Sequence, residues 1–177
     1  IDGPSGAGKG TICQLVARKL GFHLLDSGAL YRLTALAAEK QSVDFSDDVA
    51  LSSVAANLAV VFEPSDSGVK VMLAGEDVTK AIRQEHVGMN ASKGAACQPV
   101  RDALLQRQRD FDVAPGLVAD GRDMGTTVFP SAEVKVFLTA SAKERASRRV
   151  LQLEAAGQTA DFDQILNDIE ARDRQDT

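Results

Sequence analysis

Gly3-Pro4-Ser5-Gly6-Ala7-Gly8-Lys9, followed by Gly10 and Thr11, lies almost at the start of the chain. This stretch matches the phosphate-loop pattern G-x-x-x-x-G-K. In that pattern, glycines let consecutive backbone N–H groups face a nucleotide's phosphates, and the lysine adds a mobile positive charge. The apolar spacing after the loop predicts a helix that ends at Gly21. The sequence therefore predicts a binding site for ATP or GTP at residues 3–11.

Short apolar runs alternate with helical patterns along the rest of the chain. Strands are predicted over Phe22–Leu25, Gly116–Ala119 and Val134–Leu138, with helical patterns between them. Pro64–Gly68 joins two β-rich runs and predicts an antiparallel hairpin, which fits more easily beside a parallel sheet than within one. Ser141 begins a capping box that opens an arginine-rich helix. The expected fold class is α/β, with a parallel central sheet and a small antiparallel insertion.

These patterns also divide the chain into segments. A phosphate loop normally follows a complete buried strand, and the last helical pattern stops at Thr177 without a Gly or Pro terminator, so both ends are expected to be truncated. The predicted segments are a core over 1–56, an inserted subdomain over 57–94, core again over 95–140, an arginine-rich helical lid over 141–161 and a core helix over 162–177.

Composition narrows the class of protein. The 177 residues include 20 Lys plus Arg and 25 Asp plus Glu, for a net charge of −5, and 44% are hydrophobic. These values are typical of soluble globular domains, and they argue against a nucleic-acid binder, which needs clustered basic residues. No apolar run approaches the roughly 18 residues of a membrane span. Cys13 and Cys97 form no C-x-x-C pair, which predicts buried thiols. We expect a cytoplasmic monomer without membrane partners.

A magnesium ion would be held in an unusual way. The common pattern has Ser or Thr directly after the lysine, whereas here Gly10 intervenes and Thr11 comes one position later. Direct ligation by Thr11 is therefore in doubt. Asp120 follows a predicted strand, at the strand end where open α/β sheets place their ligands. We expect Asp120 to hold the ion through water, with phosphates supplying other ligands.

Arginines recur beside predicted turns and helix starts although the chain is acidic, and arginine binds phosphate bidentately. The spacing from Ile165 and Ile169 predicts that Arg172 points toward the body of the protein. Ser27 opens the second helix, where its hydroxyl is either an anion ligand or a helix cap. For Arg145, Arg148 and Arg149 in the predicted lid, the alternative is a helix face that is simply exposed to solvent. The arginines are Arg32, Arg101, Arg122, Arg145, Arg148, Arg149, Arg172 and Arg174.

Three motifs together carry a family resemblance. They are the phosphate loop G-P-S-G-A-G-K-G-T, L-L-D-S-G-A-L-Y-R at 24–32 and A-D-G-R-D-M-G-T at 119–126. With the hairpin insertion, they resemble the bacterial cytidylate kinases, over essentially the whole chain. The resemblance implies the three-layer P-loop kinase fold. It also implies reversible transfer of the γ-phosphoryl group of ATP to CMP or dCMP, with Mg²⁺.

The resemblance further implies roles for individual residues. Residues 3–11 would hold the ATP phosphates, and Asp120 would organise magnesium and its waters. Lys9, Asp120, Arg122 and Arg172 would be catalytic. The acceptor phosphate would be held by Ser27, Arg32 and Arg122, the cytosine would be read by Ser92, Arg101 and Asp123, and the ribose would be bound by Asp176. The lid arginines Arg145, Arg148 and Arg149 would bind ATP and, together with Arg172, which would also bind CMP, close on the transferring phosphoryl group.

Other functions share part of the pattern. A small P-loop kinase acting on another nucleotide, or on a metabolite such as shikimate or dephospho-coenzyme A, fits the first 30 residues. The hairpin and the Gly121–Thr126 motif argue against it. A GTP switch would need a D-x-x-G element and an N-K-x-D motif, which this sequence lacks. A binding module without turnover would bind CMP tightly and phosphorylate it slowly or not at all.

Overall fold

The computed structural model describes residues 1–65 and 68–175, without the side chains at positions 64, 65, 85, 172 and 175. Its helices are α1 (Lys9–Leu20), α2 (Ser27–Lys40), α3 (Asp48–Ala56), α4 (Glu85–Ala96), α5 (Gln98–Arg109), α6 (Ala142–Ala155) and α7 (Phe162–Gln175). Its strands are β1 (His23–Asp26), β2 (Val60–Ser65), β3 (Gly68–Leu73), β4 (Glu76–Asp77) and β5 (Leu117–Asp120). The predicted α/β fold class is confirmed.

The parallel sheet pairs β1 with β5, so that Asp26 lies opposite Asp120. Asp2 bridges Gly121 on one side and Phe137 on the other, both in parallel. The strand predicted over Val134–Leu138 is wrong as a regular element, because within the described residues this segment pairs through that isolated bridge alone. With little pairing to bury it, Phe137 is 70% exposed. The two strand ends and the phosphate loop nevertheless lie at the same edge of the sheet.

The antiparallel sheet has the order β2-β3-β4. The predicted hairpin is confirmed, with Val60 opposite Leu73 and Ser65 opposite Gly68, while positions 66 and 67 of its turn lie outside the described residues. The short strand β4 pairs with the end of β3 and was not predicted. Phe62 and Val71 face the main core, so the hairpin is packed onto the α/β body.

Two apolar clusters stabilise the body. The larger one surrounds α2, whose Leu30 and Leu33 are almost fully buried, and includes side chains from α3, α4, α5 and the hairpin. The smaller one lies between α1 and the parallel sheet, and contains Cys13 and Val118. Cys13 and Cys97 are both buried free thiols, as predicted. Burial of these side chains is the main favourable term that holds α1 and α2 beside the strand ends.

The last two helices form the wall opposite the phosphate loop. Ser141 accepts from the Glu144 backbone N–H at 3.2 Å, and Glu144 accepts from the Ser141 backbone N–H at 2.9 Å, which confirms the capping box. Asp161 accepts from the backbone N–H of Gln164 at 3.1 Å at the start of the last helix. In the described part of the chain, no helix is long and apolar enough to cross a membrane.

Candidate active site

The phosphate loop connects the Asp2 bridge to α1. Gly3 has φ 147°, and an added Cβ would lie 2.0 Å from the Leu138 carbonyl oxygen, so only glycine fits there. Gly8 has φ 95° and precedes α1 without a capping side chain. The cap position Gly8 therefore offers no side-chain acceptor to the first N–H groups of α1, which carry the positive end of the helix dipole. This geometry suits a bound phosphate.

A buried carboxylate faces this loop. Asp120, at the end of β5, is 9% exposed, and its Oδ1 lies 3.7 Å from the Lys9 Nζ. The Lys9 ammonium also donates to the Pro4 carbonyl at 3.0 Å. Asp26 ends the neighbouring strand in register with Asp120. Sequence reasoning missed Asp26, although its position after the run Leu24–Leu25 was the same signal that singled out Asp120.

The surroundings of Asp120 disfavour its charge. Burial first, and the Asp26 carboxylate second, raise the pKa of Asp120 from 3.8 to about 6, while Lys9 acts in the opposite direction. The two carboxylates repel each other, and a divalent cation bound near their oxygens would neutralise that charge. Thr11 is exposed and lines the adjacent cleft. These oxygen donors fit Mg²⁺ with water and phosphate completing its shell.

A cleft of about 1060 Å³ opens between the phosphate loop and helices α6 and α7. Its lining includes Ser5, Gly6, Ala7, Gly8 and Thr11 from the loop region. The structure also brings together arginines that are far apart in the sequence, namely Arg32, Arg83, Arg145, Arg148 and Arg149. A concave site with this charge attracts polyphosphates.

Arg83 was not predicted, because nothing in its immediate sequence marks it. It ends the 3₁₀ turn Ala81–Arg83 in the inserted segment and has an exposed side chain. The neighbouring Ile82 carbonyl accepts a hydrogen bond from the Arg32 Nη1 at 3.0 Å, which ties the turn to α2. The insertion therefore supplies a cation to the same cleft that the lid helix lines.

The three lid arginines differ in their surroundings. Arg145 is 4% exposed, and it donates to the Ser5 carbonyl at 3.0 Å and to the carboxylate of Asp173. It is therefore not part of a solvated helix face. Arg148 and Arg149 are exposed, and the Arg148 Nη1 approaches the Ala7 carbonyl at 3.4 Å. Two of the three guanidinium groups thus remain accessible at the cleft.

The second predicted phosphate site lies at the start of α2. The helix is capped by Asp26, whose Oδ1 accepts from the backbone N–H of Ala29 at 2.9 Å, so Ser27 is not the capping residue. Ser27 is the first helical residue and is buried. Arg32 packs against Gly88 of α4, where an added Cβ would lie 3.1 Å from its Nη1. Glycine at position 88 thus gives the Arg32 guanidinium its space.

The motif at 119–126 is held directly by the residue before the phosphate loop. The Asp2 carboxylate accepts from the backbone N–H groups of Met124 and Gly125, each at 2.8 Å. A π-helical turn, Met124–Val128, follows, and single π turns are common at functional sites. Sequence reasoning did not assign Asp2 a role. Its place immediately before the glycine loop was the only signal.

The predicted cytosine-reading residues lie on α4, on α5 and just before the π turn. Ser92 on α4 and Arg101 on α5 are exposed, and Asp123 is exposed before the π turn. Burial first, then the charge of Asp123, raise the pKa of Tyr31, which the charge of Arg101 counteracts. Tyr31 therefore lies near both charges, and sequence reasoning did not single it out. Its only signal was the aromatic position inside the Leu24–Arg32 motif.

Helix α7 brings further charge to the site. Arg122 acts on Asp173, since its positive charge lowers the pKa of that carboxylate alongside the larger effect of Arg145. Arg174 is exposed on the same helix. The Arg172 side chain and the whole of Asp176 lie outside the described residues, so their predicted roles are not tested here by geometry.

Comparisons with known proteins agree with this geometry. The family model described as "Cytidylate kinase" matches residues 1–177. The chain is 62% identical to the cytidylate kinase of Saccharophagus degradans, covering 99% of this chain and 79% of that protein. It is 60% identical to the cytidylate kinase of Aeromonas hydrophila, with 99% and 76% covered, and 57% identical to that of Proteus mirabilis, with 99% and 78% covered. The family model matches the chain from end to end, and an arginine-lined cleft lies beside its glycine loop. The protein therefore belongs to the cytidylate kinase family.

Proposed function

We propose that this chain transfers the γ-phosphoryl group of ATP to CMP and dCMP, giving ADP with CDP or dCDP. Two relatives that are 62% and 60% identical to it are named cytidylate kinases. The observation that carries the proposal is the contact between the two nucleotide motifs, in which Asp2 binds the N–H groups of Met124 and Gly125. Because Asp2 directly precedes the phosphate loop, donor and acceptor lie at one sheet edge, as transfer between two phosphates requires.

On the donor side, residues 3–11 bind the ATP phosphates. Support comes from the uncapped start of α1 and from the Lys9 ammonium, which lies beside that start. Arg148 and Arg149 line the same cleft with exposed side chains, so a nucleotide phosphate could reach them without breaking a buried ion pair. In this proposal the two arginines neutralise charge as the lid closes and water is excluded.

On the acceptor side, Ser27, Arg32 and Arg122 bind the phosphate of CMP. Arg32 supports this because its guanidinium lines the cleft and is oriented by the Ile82 carbonyl. The cytosine is read by Ser92, Arg101 and Asp123. The proximity of Arg101 and Asp123 to Tyr31 is the support for that part. The roles of Arg172 at the phosphoryl group and of Asp176 at the ribose stay predictions.

Magnesium would be held by Asp120 through water, with Asp26 beside it and Thr11 at the loop. The raised pKa of Asp120 supports this assignment, because a cation would offset the burial and repulsion that disfavour its charge. When bound, Mg²⁺ supplies charge neutralisation on the phosphate oxygens. Asp120, with Asp26 beside it, would orient waters bound to the ion, while the Lys9 ammonium lies between the Asp120 carboxylate and the loop.

The chemistry needs little beyond alignment. An acceptor phosphate is already a competent nucleophile, so no protein side chain has to remove a proton from it. The protein's contribution is to hold the two phosphates in line and to place arginines where charge spreads in the transition state. The clustered arginines of the cleft and the buried carboxylate of Asp120 are the groups that supply this alignment.

The test measures ADP formation with ATP and Mg²⁺ against CMP, dCMP, UMP, AMP, shikimate and dephospho-coenzyme A. We expect turnover confined to the cytidine nucleotides. Arg101→Gln should raise the KM for CMP by about 10-fold without raising the KM for ATP, whereas Lys19→Gln, an exposed cation at the far end of α1, should change neither. Turnover of shikimate or dephospho-coenzyme A but not CMP would refute the proposal.

Two further properties stay predictions of composition, namely a monomeric state and a cytoplasmic location. Light scattering coupled to size-exclusion chromatography tests the first, and fractionation of the producing cell tests the second. A dimer would contradict the expectation that no exposed apolar stripe serves as a subunit interface.

A further inference from the structure

One arginine of the lid is surrounded differently from the others. Arg145 uses four hydrogen bonds from its guanidinium: to the Ala140 carbonyl at 3.1 Å, to the Ser5 carbonyl at 3.0 Å, and to both carboxylate oxygens of Asp173, one of them at 2.9 Å. The residue is 4% exposed. A guanidinium has five N–H donors, so nearly all its capacity is already used inside the protein.

This bidentate pair, with a buried guanidinium and a half-buried carboxylate, is costly to break. Releasing Arg145 toward a phosphate would leave the Asp173 carboxylate without its main partner and the Ser5 carbonyl without its donor. Arg148 and Arg149 face the same cleft with exposed side chains and would not incur that cost. The three arginines therefore divide into one that is held internally and two that are accessible.

Asp173 also interacts electrostatically with Arg122, a residue of the proposed acceptor site. The hydrogen bond and the charge of Arg145 lower the pKa of Asp173, and the charge of Arg122 acts in the same direction. Arg122 belongs to the 119–126 motif, whereas Ser5 belongs to the phosphate loop. One carboxylate on α7 is therefore linked to a donor-site carbonyl through Arg145 and to the acceptor-site Arg122.

We propose that Asp173 and Arg145 form a brace that fixes the phosphate loop relative to α6, α7 and Arg122, and that Arg145 is a positioning residue and not an ATP ligand. This inference rests on the proposed kinase function and deepens it. The brace holds the Ser5 carbonyl so that the loop keeps its curl, and it sets the position of the helix on which the predicted Arg172 lies. Arg148 and Arg149 supply the lid's contacts with phosphate.

The decisive experiment is equilibrium binding of ATP in the absence of CMP, measured by titration calorimetry on the wild type and on Asp173→Asn. The brace predicts weaker ATP binding by about 10-fold, because the loop loses a charge-assisted support. If Arg145 were instead an ATP ligand restrained by Asp173, removing the carboxylate would free it, and ATP binding would tighten. The sign of the change therefore separates the two roles.

Matched variants keep the test sharp. Glu170→Gln neutralises an exposed carboxylate on the same helix and should leave ATP binding within about twofold of the wild type. Arg145→Gln should weaken ATP binding as much as Asp173→Asn, and the double variant should be no worse than either, since both remove the same brace. Additive losses, or a loss in Arg145→Gln alone, would overturn the proposal.

A second readout covers the case in which Asp173→Asn does not fold. Asp173→Glu keeps the charge and changes the reach of the carboxylate, so the brace predicts a drop in kcat together with higher KM values for both ATP and CMP. An effect on the KM for ATP alone would contradict it. Because ATP binding is measured without an acceptor, failure of the brace is distinguishable from failure to phosphorylate CMP.

Discussion

Replacing Asp120 by asparagine is expected to stabilise the fold while it abolishes most of the activity. Asp120 is 9% exposed at the end of β5, where burial and the Asp26 carboxylate raise its pKa from 3.8 to about 6. A difference of this size between the folded and the unfolded chain corresponds to about 3 kcal/mol at neutral pH. The ionised carboxylate therefore costs the folded protein stability that a neutral amide does not cost.

The direction of the pH dependence follows from the same pKa. Because the folded-state pKa lies above the unfolded one, the unfolded chain ionises first as pH rises. The stability that the neutral carboxyl contributes is complete below about pH 4 and is lost as pH rises through about 6. Asp120→Asn removes this loss. Lys9 is left without its partner, and so we expect a net gain of about 1–3 kcal/mol above pH 7.

The assay is urea unfolding of the wild type and Asp120→Asn from pH 4 to pH 8, without magnesium. The gain in unfolding free energy should be near zero at pH 4 and should grow through pH 6. Asp112→Asn, an exposed loop carboxylate, is the matched control and should show no such trend. Saturating Mg²⁺ should raise the stability of the wild type more than that of Asp120→Asn. A variant less stable than the wild type at pH 7.5 would refute this reasoning.

Three further outcomes are expected. Arg122→Gln should lower kcat by about 100- to 1000-fold, measured by coupled ADP formation, because a donor to the transferring phosphoryl group is lost; an unchanged kcat would contradict its role. Gly125→Ala should lower kcat for CMP, because its Cβ would come within 3.3 Å of the Asp2 Oδ2; ATP binding should be unaffected in calorimetry. Cys13 and Cys97 should resist a thiol reagent until the protein unfolds, since burial raises both pKa values, that of Cys13 to about 12.

Local patterns in the sequence predicted most of the fold. The phosphate loop, the hairpin and the capping box at Ser141 depend on residues close together in the chain, and each is found where it was expected. The predicted strand over Val134–Leu138 is wrong because strand formation depends on a pairing partner, and among residues 1–65 and 68–175 the single partner is Asp2, opposite Phe137. An apolar run shows that a segment can be a strand but does not supply its neighbour.

The site was predicted less completely, and for a related reason. Helical spacing puts Arg145, Arg148 and Arg149 on one side of α6. It cannot show that Asp173, on the next helix, accepts hydrogen bonds from Arg145. The support that Asp2 gives to residues 124–125 likewise joins positions more than a hundred residues apart. Contacts of this kind arise from tertiary packing, so residue type and spacing alone do not reveal them.

Gly10, which departs from the usual phosphate-loop pattern, and Asp120, whose pKa is raised, are neighbours in the structure. A Cβ at Gly10 would lie 3.5 Å from the Asp120 Oδ2. A side chain at position 10 would therefore be in contact with this carboxylate. Where the common pattern has a hydroxyl, the end of β5 brings a carboxylate oxygen close to position 10. That oxygen is buried beside Asp26, and its charge is disfavoured in the protein alone. A carboxylate kept in such surroundings costs stability, and the proposed Mg²⁺, held there through water, would offset that cost. In the proposed kinase the phosphate loop and the end of β5 would therefore hold the ion together, with the charged oxygen supplied by the sheet.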